Sequence, residues 1–274
     1  MSLSNRASRN GTANASDEES PLLGNGSKEP RMGKRLHKHM TANVHKSWAD
    51  IALLGCYIIT GLLDSSAVFI WGSFVSMQTG NTVYLGLGLV DVKGDTRWIK
   101  SAISIGFFCL GSFFFGLYHR TFSPRQRWVL VSSFFMQFLL IAGAASIVTF
   151  GAKGDGSDDL HWQVLVPLAA VAFQGSGQAV TSRVLQYGGL TSVVLTSNYC
   201  DLFSDPKLFA GITQNVERNR RTAAPILLLF GAVCGGLFAH SSVGLAGALW
   251  TAAGLKAVVM LAWVFWAAEP EADG

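Results

Sequence analysis

The chain reads as an all-α, polytopic integral membrane protein with six transmembrane helices and two short re-entrant or half-crossing segments, built as a two-fold internal repeat. Three observations predict this. Half of its 274 residues are hydrophobic and only 14% are charged, far fewer charges than a soluble domain carries. Apolar runs follow one another from about residue 50 to 267. Two short apolar segments carry matching polar knots, Thr79-Gly80-Asn81 and Thr196-Ser197-Asn198.

Residues 1–48 are rich in Ser, Asn, Gly and charge, cannot bury a core, and are expected to be a disordered tail. No charged n-region followed by an apolar h-region opens the chain, so no cleaved signal is expected. Glu18-Glu19-Ser20-Pro21-Leu22-Leu23 resembles the acidic dileucine addresses that route membrane proteins to vacuoles or lysosomes. Glu18, Leu22 and Leu23 would then bind a sorting adaptor; an incidental Leu-Leu pair is the plain alternative. Sequons begin at Asn10, Asn14 and Asn25, but only a lumenal tail could use them. Arg31, Lys34, Arg35, Lys38 and Lys46 before the first span predict a cytosolic one. Whether the membrane is vacuolar, another endomembrane or the plasma membrane stays open.

The first span, residues 51–71, is about long enough to cross a ~30 Å hydrocarbon core and holds one charge, Asp64. A carboxylate there costs roughly 2.5 kcal/mol or more, so it marks a task or a partner. Further spans are read at 101–118, 128–151, 160–182, 222–239 and 241–268, the last interrupted by Lys256. Segments 73–90 and 190–204 are the short ones. Each follows a span with a polar knot, Asp64-Ser65-Ser66 or Gln174 through Gln178. Halves of about 49–150 and 160–268 therefore hold three spans and one short segment each, and an odd number of crossings makes the repeat inverted. Eight crossings are the alternative, and both topologies obey the positive-inside rule. Residues 269–274 form a short acidic C-terminus.

Thr79, Gly80, Asn81, Thr196 and Asn198 are candidates for paired helix-terminus sites, where free N–H groups face an anion or polar solute. The same small residues also serve close helix packing, as Gly231-x-x-x-Gly235 illustrates. Thr60 shares a helix face with Asp64. Gln174 and Gln178 put two amides on one face. Arg183 is either a carboxylate clamp or a snorkelling residue at a span end. Asp64 either binds a cation, a proton or a cationic substrate, or forms an ion pair with Arg183 or Lys256. Cys56, Cys109, Cys200 and Cys234 have no metal-ligand spacing and read as buried free thiols. His119, His161 and His240 lie near span ends and read as interfacial. No Walker A, HExxH or GxSxG pattern occurs, so no enzyme, cofactor or metal is expected, and no basic aromatic patch suggests nucleic acid.

Gly61-Leu62-Leu63-Asp64, Gly72 with Phe74, and Thr79-Gly80-Asn81-Thr82-Val83 resemble the YoaK-like family of bacterial and fungal membrane proteins, catalogued as a domain of unknown function. The likeness has the look of a fungal member and covers roughly residues 50–267. Thr191-Ser192-Val193-Val194-Leu195-Thr196 resembles its second Thr-rich element, with Ser197 where a glycine is usual, and Gln178-Ala179 stands where Gln-Asn-Ala is usual. The resemblance implies six spans and supplies no substrate. The leading expectation is a secondary transporter or facilitator of a small polar or ionic solute in contact with the lipid bilayer. The second is a non-transporting scaffold or sorting protein with a partner-binding tail. Small-residue motifs permit a homo-oligomer.

Overall fold

The structure, a computed structural model, describes residues 32–92, 95–151 and 160–270. Helices α1 (Met32–Thr41), α2 (Ala49–Trp71), α3 (Gln78–Val90), α4 (Arg97–Thr121), α5 (Arg127–Phe150), α6 (Trp162–Val184), α7 (Thr196–Phe203), α8 (Val216–Ala239) and α9 (Gly244–Phe265) make up the described fold. Six of them, α2, α4, α5, α6, α8 and α9, are long and apolar enough to cross a membrane. The 13 residues of α3 and 8 of α7 reach about 20 and 12 Å at 1.5 Å each, short of the ~30 Å core. Phe107, Leu110, Phe113 and Leu117 on α4, and Leu229, Phe230, Val233 and Leu237 on α8, face outward and make the lipid-contacting belt.

The path of the chain decides between six crossings and eight. Gly72, left-handed at φ 79°, ends α2 beside the Arg97 side chain at the start of α4. The chain then doubles back until Val75 and Ser76 meet Asp64 inside α2. From there α3 returns to its starting face, where Gly88 packs on Trp98. Residues 72–90 therefore enter and leave on one side. The second half repeats the path from the opposite face. Ser192 comes back to Gln178 inside α6, and α7 leaves toward Asp205, 3.8 Å from Arg221 near the start of α8.

A backbone strap confirms the count. The Val44 N–H donates to Arg125 O at 2.8 Å, the His45 N–H to Ala267 O at 2.9 Å, and the Glu269 N–H to Asn43 O at 2.8 Å. The tail, the α4–α5 turn and the C-terminal stretch thus share one face, which requires two crossings before residue 121. Three, as in the eight-span alternative, would put that turn on the far side. A lone cysteine replacing Thr121 should be labelled by an impermeant reagent only from the face that carries the strap, and one replacing Asp95 only from the other. Labelling of both from one face would contradict this topology.

Packing partners exchange with the halves: α2 lies on α8 as α6 lies on α4, α9 on α2 as α5 on α6, and α3 on α4 as α7 on α8. At the α2–α8 seam Gly61 faces the backbone of Leu228 and Ala232, Gly231 faces that of Ile58, and Gly235 meets Leu62 O and the Ser65 and Ser66 hydroxyls. The Ser66 hydroxyl shares its proton between Leu62 O of its own helix at 2.8 Å and Gly235 O across this seam at 3.1 Å. Small residues here let two backbones touch.

Three expectations need correction. Part of the stretch expected to be disordered, residues 32–48, forms α1 and the strap. The cysteines are free, but Cys109 and Cys200 are exposed and only Cys56 is buried. His119 is buried, and neither ring nitrogen has a partner among the described residues. The expectation of six crossings holds, and the eight-crossing alternative falls because the short segments turn back. The dileucine motif of Glu18, Leu22 and Leu23 and the three sequons lie outside the described residues.

Candidate functional site

Polar residues at membrane depth gather where the two re-entrant segments meet. In the first half, the Asp64 Oδ1 atom accepts the N–H groups of Val75 (2.8 Å) and Ser76 (2.9 Å), and Oδ2 accepts the Ser76 hydroxyl at 2.5 Å. The carboxylate thus sits at the start of α3, where free N–H groups and the helix dipole favour a negative charge. That is its partner. Neither Arg183 nor Lys256 pairs with it, so the ion-pair alternative does not hold.

Asn81 fixes the same stretch from behind. Its Oδ1 accepts from the Phe74 N–H and the Ser73 hydroxyl, and its Nδ2 donates to Phe74 O, Gln78 Oε1 and Ser104 Oγ, all within 3.1 Å. Fully buried, it shapes the site without lining it. Asn198 plays the matching part, donating to Arg221 O at 2.8 Å. Each Asn lies 23 residues before the α4 or α8 residue it bonds. Gly80 has its own reason: a Cβ there would strike the Phe74 ring.

In the second half Gln178 stands where Asp64 stands in the first. It is wedged between a cation and two hydroxyls. Lys256, buried inside α9, donates to Gln178 Oε1 at 2.8 Å and Gln137 Oε1 at 3.0 Å, and its Nζ lies 5.3 Å from the centre of the Phe134 ring. An ammonium can only donate, so both amides must turn their oxygens to it. The Gln178 Nε2 then donates to Thr60 Oγ1 at 2.5 Å and Ser192 Oγ at 2.8 Å. Ser192 holds a left-handed φ of 61°, a strained conformation for a serine that its surroundings must hold in place. Gln174, one turn before Gln178, has a buried Oε1 with no partner among the described residues.

One cavity of about 570 Å³ lies between these parts. Its walls include Thr60, Asp64 and Gly61 of α2, Thr79 and Gly80 at the start of α3, Thr196 and Tyr199 of α7, and Leu228 of α8. The starts of two half-helices that enter from opposite faces therefore open on one space. The hydroxyls of Thr79 and Thr196 make no hydrogen bond among the described residues. That of Thr60 receives one and gives none. Of the residues expected at the site, Thr60, Asp64, Thr79, Gly80 and Thr196 come together in this cavity. Gln178, Asn81, Asn198 and Lys256 support it from behind. Arg183 is exposed at the end of α6, away from the cavity, as a snorkelling residue would be. Sequence reasoning missed Ser76, Ser104 and Gln137, and named Ser192 only as part of the second Thr-rich element. The glycine break at Gly72 was the one signal for Ser76, since chain that leaves a helix at depth must find partners for its N–H groups.

The family described as protein of unknown function (DUF1275) matches residues 52–262, the region that carries the YoaK-like motifs. No curated protein and no solved structure matches the chain.

Proposed function

The chain belongs to this family of unassigned activity, and from its cavity we propose that it is a secondary transporter or facilitator of a small polar or ionic solute. One observation carries the reading: three threonine hydroxyls with unspent hydrogen-bonding capacity share a cavity with two opposed half-helix starts and a carboxylate. The exchange of packing partners between halves supports an inverted repeat with its site at midplane, and the step from that architecture to transport is an analogy. The basic residues on the face that carries the strap, among them Lys46, Arg125, Arg218 and Arg220, support a cytosolic orientation for it.

Lys256 acts here through another residue. By fixing the Gln178 amide it makes Thr60 Oγ1 an acceptor, which leaves the Thr60 proton to be offered to the cavity. A solute rich in hydrogen-bond acceptors suits that direction. The Asp64 charge balances the positive start of α3, so the cavity does not hold an anion by charge alone.

The test is osmotic swelling of proteoliposomes challenged with small polyols, amides and monocarboxylates. Wild type should swell faster than empty vesicles for at least one class. Thr60→Val should slow that swelling about fivefold, the worth of one hydrogen bond. Lys256→Met should slow it at least as much and stay folded. The desolvation it relieves, several kcal/mol, offsets about 1–3 kcal/mol for each amide oxygen left without a donor. Swelling equal to empty vesicles across the panel, or unaltered rates in both variants, would sink the proposal and leave the scaffold reading.

A further inference from the structure

The hydrogen-bond chain from Lys256 to the cavity can run in either direction. Lys256 lies midway along α9, fully buried, and among the described residues it has no ion pair. Neutral groups face it: Gln137 and the Phe134 ring from α5, Gln178 from α6, and the Cys56 thiol from α2. The charged residues of α5, α6 and α8 lie in the turns at their ends. Of the two on α2, Asp50 is in the first turn and Asp64 is turned to Val75 and Ser76. A carboxylate partner would fix the lysine in its charged form. Amides do not, because each carries both an acceptor and donors. A buried charge met only by dipoles is costly, and a group sheds it where its surroundings also satisfy the neutral form.

Here the surroundings do. With the ammonium present, Gln178 turns its oxygen to Lys256 and its NH₂ to Thr60 and Ser192. The neutral amine has two N–H donors and one lone pair. It can keep its bond to Gln137 and accept from the Gln178 NH₂ once that amide turns over about its last bond. The Gln178 oxygen then faces the Thr60 and Ser192 hydroxyls and needs their protons. Thr60 supplies one, since its hydroxyl donates to no other described residue. Ser192 supplies the other by turning from Thr191 O, which it reaches at 2.6 Å. One N–H bond of Lys256 breaks, its proton passing to water, and every other step is a rotation. The cavity wall is thereby reversed: Thr60 offers a proton while Lys256 is charged and only lone pairs when it is neutral.

We propose that Lys256 is a proton-binding site that sets, through Gln178 and Thr60, which solutes the midplane cavity accepts. A solute rich in hydrogen-bond acceptors binds while Lys256 holds its proton. By reciprocity that solute favours the bound proton, which is the requirement for moving the two together. The proposal rests on the transporter reading and adds to it the coupling ion and the class of solute coupled to it. Lys256 is a positioning residue here, since it touches no part of the cavity wall and acts only by the direction it gives the Gln178 amide.

The experiment has two readouts on full-length protein in vesicles, across about pH 6 to 10, where protein lysines are titrated. The first is infrared difference spectroscopy of the glutamine side-chain carbonyl, with the Gln178 band identified by its loss in Gln178→Leu. That band should shift between the ends of the range in wild type and stay fixed in Lys256→Met. No shift, or the same shift in Lys256→Met, would overturn the proposal whatever the flux. The second is swelling with formate, which only accepts hydrogen bonds, at equal pH inside and out and after subtraction of empty vesicles. Its rate should fall about fivefold as pH rises, the worth of one hydrogen bond. Lys256→Met should give a flat profile and Cys56→Ala the wild-type one. A flat wild-type profile would overturn the switch and leave the transport reading standing. A profile lost in Cys56→Ala would move the proton to the thiol and overturn it too. Absence of swelling for every solute at every pH would instead sink the transport reading, and the infrared band would then decide the switch alone.

Discussion

Gly231→Leu should prevent the bundle from assembling, whereas Gly236→Leu on the same helix should be nearly silent. A Cβ at Gly231 would run into the backbone of Ile58, and backbone has no rotamer by which to withdraw. The larger side chain must separate α2 from α8, breaking the Ser66 to Gly235 hydrogen bond and the glycine contacts on either side. Overpacking costs about 1–3 kcal/mol where side chains can shift, and the cost here should lie at or above the top of that range. A Cβ added at Gly236 would meet no atom within 4 Å, so its variant should stay within about 0.5 kcal/mol. Size-exclusion profiles and thermal unfolding of the two proteins in one detergent would check this. Equal behaviour would mean that the α2–α8 seam does not hold the fold.

Asp64→Ala should release the first re-entrant stretch, and Asp64→Asn should keep it while changing the charge of the cavity. The alanine variant leaves two buried N–H groups and a hydroxyl without their acceptor. Each orphaned group costs about 1–3 kcal/mol, enough together to outweigh what holds residues 73–77 against α2. Asparagine keeps an oxygen for the Val75 and Ser76 N–H groups, and its NH₂ can donate to Ser76 Oγ. Hydrogen exchange of residues 73–80 should therefore accelerate strongly in the alanine variant and little in the asparagine one. If the carboxylate also serves the solute, the asparagine variant should lose about tenfold or more in swelling rate with its exchange pattern preserved, since a hydrogen bond to a charged group contributes about 1.5–3 kcal/mol. Full flux in that variant would reduce Asp64 to an anchor.

The seam and the carboxylate are both visible in the sequence, for different reasons. Gly231 and Gly235 sit four apart on an apolar helix, a spacing that puts them on one face whatever the partner. Asp64 stands out because a charge inside an apolar span is costly anywhere in a bilayer. The tail reads as disordered by composition, yet four backbone hydrogen bonds tie its residues 42–45 to the α4–α5 turn, the start of α5 and the C-terminal stretch. Backbone groups carry no sequence signature, so such a strap is invisible before the chain is folded.

What the sequence by itself determined is the membrane class, the six long apolar spans, the two short segments and their matching Asn residues, because each follows from hydropathy and local spacing. Only the tertiary structure decided that the short segments turn back. It also decided that Asp64 is held by its own re-entrant loop and that Lys256 reaches the cavity through Gln178 and Thr60. Neutral amides and backbone N–H groups accept many partners at similar energy. Which one each takes depends on how distant helices pack, and that is set by the whole bundle rather than by neighbours in the chain.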